Sequence, residues 1–232
     1  MKNSKLRRAM LLVASAVLLV SISVSATLAY LTSRTEVVNN TFSVGNVNIT
    51  LDEAPVDTDG KKTSGDRVMA NRYKLLPGHD YDKDPTVHVA AGSEECYLFV
   101  KVVNGIFAIE KDYVKTTTTE NEDGTTSTNT ETLGTIAKQM EDNGWVALTG
   151  IKDAQNNAID TTNVYYLNVT KTAGEDAIVF ENFAIKDDMS NTTLASYTSA
   201  TITVQAYAVQ KDGFDSAAEA YAAAPCTWTA AN

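Results

Sequence analysis

From Thr201 to Gln210 apolar and polar positions alternate. Ile202, Val204, Ala206 and Ala208 fall on one face, and Thr201, Thr203, Gln205 and Tyr207 on the other. A period of two belongs to a strand, whose successive side chains point to opposite faces. Val44 to Leu51 repeats the pattern, with Val47, Ile49 and Leu51 inward and Asn46, Asn48 and Thr50 outward, which predicts a half-buried strand. Thr86 to Ala90 predicts another short strand. Cys96 to Val103 is apolar almost throughout and predicts a central strand buried on both faces. Trp145–Leu148, Val164–Val169, Ile178–Phe180 and Phe183–Ile185 add shorter stretches of the same character.

Helical spacing is rare. Leu133, Ile136, Ala137 and Met140 recur at three and four residues before Gly144, which predicts a short amphipathic helix over Leu133–Asn143. Ser216 with Glu219 three residues on forms a capping box that opens a second helix, and Pro225 follows its end. Glu53 to Arg72 holds Pro55, Gly60, Gly65 and many charges, and predicts a long surface loop. The threonine-rich tract Lys115–Thr132 has two readings: an excursion without fixed structure, or a β-hairpin insertion turning at Glu122–Thr125. Many short strands with only two short helices and long loops predict an all-β fold, a two-sheet antiparallel sandwich. Pattern alone leaves immunoglobulin-like and jelly-roll topologies open.

The N-terminus has a different grammar. Lys2, Lys5, Arg7 and Arg8 precede an uncharged run from Ala9 to about Val24, and Ser25–Ala29 follows with small residues. That order predicts a secretory signal peptide over residues 1–29. Thr27 and Ala29 sit where a signal peptidase needs small side chains, so the expected cut lies between Ala29 and Tyr30. The apolar run is short for a membrane span, which needs about 20 residues. Contact with a membrane is therefore expected only through this segment before cleavage. The remainder, 30–232, is expected to form one domain.

Across the cut, Thr27-Leu28-Ala29-Tyr30-Leu31-Thr32 leads through Asn40-Thr41-Phe42-Ser43-Val44-Gly45-Asn46-Val47-Asn48-Ile49-Thr50-Leu51-Asp52. This stretch resembles the camelysin/TasA family of Gram-positive bacteria, with its TxAYxT-like junction and NTFxxGxVxIxLxE continuation. Ala206-Tyr207-Ala208-Val209-Gln210-Lys211-Asp212-Gly213-Phe214 and the Ala-rich helix after it are similar to the closing strand and helix of camelysin-like sequences. The resemblance implies cleavage by a SipW-type signal peptidase, a jelly-roll sandwich and an extracellular or cell-surface location. It also implies self-association into biofilm-matrix fibres, with a second matrix protein as a further partner. In such fibres the mature N-terminal segment of one subunit adds as a strand to the next. The equivalent here runs from Tyr30 to about Phe42 and offers Tyr30, Leu31, Val37, Val38 and Phe42 as its apolar positions. Camelysin is classed as a metallo-endopeptidase, so the resemblance carries that alternative, and a monomeric surface adhesin or binding module is a third.

Charge narrows the partners. The 232 residues hold 19 basic and 29 acidic side chains, a net −10, and loss of residues 1–29 removes four basic and no acidic groups to leave −14. Such a surface repels nucleic acid and anionic lipid. At 44% hydrophobic the chain can bury a core. The two cysteines, Cys96 and Cys226, are a candidate disulfide in an exported protein; the alternative is a buried thiol and a tail thiol.

Catalytic patterns are sparse. The sequence has two histidines, His79 and His88, and no HExxH, GxSxG, Walker or GxGxxG motif, so no catalytic residue is assigned. A zinc site would need a third ligand beside the histidines. His88 reads equally as the outward residue of a strand, and His79 as a turn residue after Pro77-Gly78. Asp80, Asp82 and Asp84 open like a calcium loop, but Pro85 and Ala91 stand where such a loop needs Gly and a bidentate Glu. No cofactor is expected; calcium stays a candidate, against the reading of a solvated acidic loop.

Overall fold

The computed structural model describes residues 46–121 and 123–229, and within them the chain is an antiparallel β-sandwich. The junction residues Thr27, Ala29 and Tyr30 and the segment Tyr30–Phe42 lie outside the described residues.

One face is built from two short sheets that run into each other. β1 (Ile49–Asp52) pairs with β3 (Thr86–Val89), which pairs with β10 (Asp176–Ile178). β2 (Asp80–Asp82) pairs with β11 (Asn182–Ile185), which pairs with β5 (Glu110–Lys111). Chain continues from β2 to β3 and from β10 to β11. Lys83 N–H donates to Glu181 O and Val179 N–H to Pro85 O, both at 2.9 Å, so the two sheets form one surface bent at Pro85. Proline fits there because the bend leaves its missing N–H unneeded.

The opposite face is a four-stranded sheet in the order β12 (Ile202–Gln210), β4 (Cys96–Asn104), β9 (Val164–Leu167), β8 (Trp145–Ala147). β4 is its centre, as the unbroken apolar run predicts. Cys96, Leu98, Val100 and Val102 point into the inter-sheet core with Val87, Val89, Phe180, Phe183 and Ile185. Tyr97 and Phe99 point the other way, into a second core closed by Ala217, Ala220 and Tyr221. Side chains such as Leu98 and Phe99 are fully buried, and each contributes roughly 1.5–3 kcal/mol.

Among the described residues three short α-helices appear where two are expected. α1 (Ile136–Asp142) is capped by Thr135, and the buried Glu110 carboxylate accepts the Ile136 N–H at 2.6 Å. α3 (Ala217–Ala223) is capped by Ser216; Glu219 reaches back to the amide of Asp215, not to that of the cap residue itself. The unexpected one, α2 (Asn191–Ala195), is a single turn capped by Ser190 and anchored by buried Leu194. Its threonines have poor helix propensity, and packing overrides them.

Of the two readings of the threonine tract, the structure has the hairpin. β6 (Tyr113–Glu120) pairs with β7 (Thr126–Gly134). The turn closes one residue earlier than the sequence suggests, with Gly124 N–H donating to Asn121 O and Asn121 N–H to Thr125 O. Gly124 takes the left-handed conformation, φ +79°, that the turn demands.

Candidate functional site

The two sides of the sandwich are closed differently. Beside β8 and β10 the gap is sealed: Trp145 is buried, its indole N–H donates to Ile178 O at 2.8 Å, and Asn143 Nδ2 donates to Val179 O at 3.4 Å. Beside β1 and β12 no such hydrogen-bonded seal is made among the described residues. A cleft of about 890 Å³ lies there, between the end of β1, the extended segment 69–76, α2 and the start of β12. That is within the range of roughly 300–1,000 Å³ usual for binding clefts.

Apolar side chains line much of it, among them Leu51, Leu75, Ile106, Leu194, Ile202 and Val204. Met69 at its rim is 82% exposed. β12 pairs with β4 along all nine residues and, among the described residues, with no strand on its other side. An edge of this kind presents a row of backbone donors and acceptors. The site therefore combines an apolar trough with an open strand edge, which suits an extended peptide with alternating apolar side chains.

The wall formed by residues 69–76 is fixed. Asn71 Nδ2 donates to Glu53 Oε1 at 3.0 Å and to Ala54 O at 2.8 Å. Tyr73 donates to Asp82 O at 3.0 Å, and its ring meets Phe183 edge-on at 5.2 Å. Tyr81 accepts the Leu76 N–H at 2.8 Å and stacks on Phe183 at 4.7 Å. Lys83 pairs with the buried Glu53 beneath this wall. Burial, reinforced by Glu53, raises the Tyr73 phenol well above its ordinary pKa, so it stays protonated and keeps donating.

Behind the wall a charged network takes up the acidic residues singled out above. Asp82 Oδ2 accepts the Lys62 N–H at 2.9 Å and lies 3.8 Å from the Lys61 ammonium. Asp84, nearly buried, accepts from Ala54 N–H at 2.7 Å and pairs with Lys62 at 2.6 Å and Arg67 at 3.2 Å. Desolvation raises its pKa, but these donors outweigh it and hold the carboxyl below its ordinary range. Arg67 also pairs with Asp52 and donates to Asp84 O and Thr86 Oγ1 at 3.0 Å each. Asp80, Asp82 and Asp84 thus do not open a solvated loop: Asp80-Tyr81-Asp82 is strand β2, with Tyr81 buried between the two acids. Chain cations already occupy Asp82 and Asp84, and among the described residues no three His, Cys, Asp or Glu side chains are grouped to hold a metal ion.

The histidines go to separate places. His79 Nε2 lies 2.7 Å from Asp59 O, with its ring edge-on to Tyr81. His88 is the outward residue of β3, with Nδ1 2.6 Å from Asp176 Oδ1 and Nε2 2.9 Å from Asp52 Oδ1. Cys96 and Cys226 are free thiols, a departure from the candidate disulfide. Cys96 faces the inter-sheet core and Cys226 packs on the other side of the same sheet, so the sheet itself stands between them.

Sequence reasoning missed the cleft and Arg67. The C-terminal tail crosses the outer face of β12: Tyr207 donates to Ala224 O at 2.9 Å, and Gln205 exchanges two hydrogen bonds with the Thr229 backbone. Trp228 holds the tail there, edge-on to Tyr207, with its indole N–H donating to the Tyr221 hydroxyl at 2.8 Å. Comparison of the chain with protein-family models, curated proteins and solved structures returns no match.

Proposed function

We propose that this chain is an exported structural protein of the extracellular matrix or cell surface, a subunit that joins its neighbours by strand addition. In this reading a SipW-type peptidase cuts after Ala29. The segment from Tyr30 to about Phe42 of one subunit then enters the cleft of the next. One observation carries the reading: β12 lies beside an apolar cleft with its outer edge unpaired by any strand among the described residues, while the opposite side of the sandwich is sealed by Trp145. A strand laid along β12 gains backbone hydrogen bonds and buries alternate apolar side chains. Head-to-tail addition through two different surfaces gives a filament wherever the rotation between subunits does not close a ring.

Electron microscopy of the chain from Tyr30 onward tests this. Fibres are expected, their loss is expected when Tyr30–Glu36 is deleted, and a free peptide spanning Tyr30–Phe42 should slow their growth. Fibre formation unchanged by the deletion would sink the reading.

A further inference from the structure

The β6–β7 ribbon has no role in the cleft. Every described residue from Val114 to Thr132 is exposed, so the ribbon packs on the body only at its base. Eight residues of strand extend roughly 25 Å. A two-stranded hairpin alone is marginal in water, and both long edges of this one are open among the described residues.

The two edges differ. β6 carries Lys115 near its base and Glu120 near its tip, charges of the kind that discourage pairing with another chain. β7 carries Thr126-Ser127-Thr128-Asn129-Thr130 without charge, proline or glycine, and its first charge is Glu131. On a chain with net charge −10 this is an unusually unguarded edge, and its three threonines favour strand structure.

Backbone geometry selects a register. Asn121 bonds Thr125 across the turn, so hydrogen-bonded pairs alternate from there and include Thr117 with Asn129. The peptide groups of Thr126, Thr128, Thr130 and Thr132 then point outward from β7. A two-fold axis at Asn129 sets Thr128 opposite the second copy's Thr130, Thr126 opposite its Thr132, and Ser127 opposite its Glu131. No like charges meet, and the outward groups fall in hydrogen-bonding pairs. Asn129 faces its own counterpart at a non-hydrogen-bonded position.

We propose that β7 is a self-pairing strand, which joins antiparallel to β7 of a second copy and makes a four-stranded ribbon. The occupant is a second copy because one strand is complementary to itself in charge and register. The contact is small against the roughly 1,000 Å² of a stable interface, so it acts where copies are already concentrated, as on a surface or in a filament. It needs no cleft and no N-terminal segment.

Disulfide capture tests it. At a non-hydrogen-bonded antiparallel position Cα atoms lie about 4.5 Å apart, within disulfide range. In the chain from Tyr30 onward carrying Cys226→Ser, Asn129→Cys should cross-link under mild oxidation at least tenfold faster than Thr117→Cys, its neighbour on β6. Thr128→Lys with Thr130→Lys, which sets ammonium groups opposite each other, should slow the Asn129→Cys cross-link at least tenfold. Equal rates for the two cysteines, or no effect of the lysines, would overturn the proposal. The same cross-link should survive deletion of Tyr30–Glu36, which separates failure here from failure of the strand-addition reading.

Discussion

The indole N–H of Trp145 donates to the carbonyl of Ile178 at 2.8 Å, joining β8 of one sheet to β10 of the other. Among the described residues no comparable hydrogen bond spans the opposite side, where β1 and β12 flank the cleft. Trp145→Phe should therefore keep most of the buried ring while leaving the Ile178 carbonyl without its donor. A loss of about 1–2 kcal/mol is expected, read from the urea midpoint with the slope unchanged. A midpoint within error of the parent would mean that packing alone seals that side.

His88 sits between two carboxylates on neighbouring strands, Asp52 of β1 and Asp176 of β10. Partial burial pulls its pKa down, but hydrogen bonds to both acids, reinforced by their charge, raise it above the ordinary 6.5. The group thus holds its proton more tightly in the folded chain. Its stabilising contribution is full below about pH 6.5 and is lost as pH rises through the elevated value. For Asp52, desolvation raises the pKa, but bonds from Arg67 and His88 more than offset it and lower the pKa below 3.8. That contribution is present above the ordinary carboxyl pKa and is lost as pH falls through the depressed one. Stability should therefore decline from pH 6.5 upward by on the order of 1 kcal/mol, and His88→Gln should flatten that limb. Thermal unfolding across pH 5–9 measures it, and an identical slope in the variant would dissociate the histidine from the effect.

β4 and β12 were legible because their patterns leave little choice: a continuous apolar run for a strand covered on both faces, and strict alternation for one with a distinct polar face. β2 was not. Asp80-Tyr81-Asp82 holds a single apolar side chain, and its acids look like a solvated loop until Tyr81 is seen stacked on Phe183, about a hundred residues away in sequence. Arg67 was hidden for a similar reason. In a loop of mixed charge it reads as one more exposed cation, and only folding brings Asp52, Asp84 and Thr86 around it. The cleft needs residues near 70 and near 200 together, and no local pattern announces such a meeting.

Cys96 and Cys226 lie on opposite sides of the β12–β4 sheet, so reducing agent should leave the melting temperature unchanged. Burial, aided by Glu95 and Glu175, pushes the Cys96 thiol up to about 11. At pH 8 it is almost wholly protonated and shielded, and should react with a thiol reagent only on global unfolding. Cys226, half-buried and raised by desolvation, should react slowly in the native state. Peptide mapping that finds Cys96 joined to Cys226 would contradict this arrangement.

Gly60 and Gly92 separate backbone strain from lost space. Both adopt left-handed conformations, φ +73° and +81°. A Cβ at Gly92 meets nothing within 4 Å, whereas one at Gly60 would lie 2.4 Å from Cδ1 of Tyr81. Tyr81 cannot yield easily, since it is buried, stacks on Phe183 and accepts the Leu76 N–H in the cleft wall. Gly92→Ala should therefore cost about 1 kcal/mol, the conformational term alone. Gly60→Ala should add an overpacking cost and reach about 3 kcal/mol. Because Tyr81 steadies the wall, Gly60→Ala should also weaken inhibition of fibre growth by the Tyr30–Phe42 peptide, while Gly92→Ala leaves it intact. Equal losses of stability in the two variants would show that Tyr81 moves aside freely, and that the wall is less rigid than its hydrogen bonds imply.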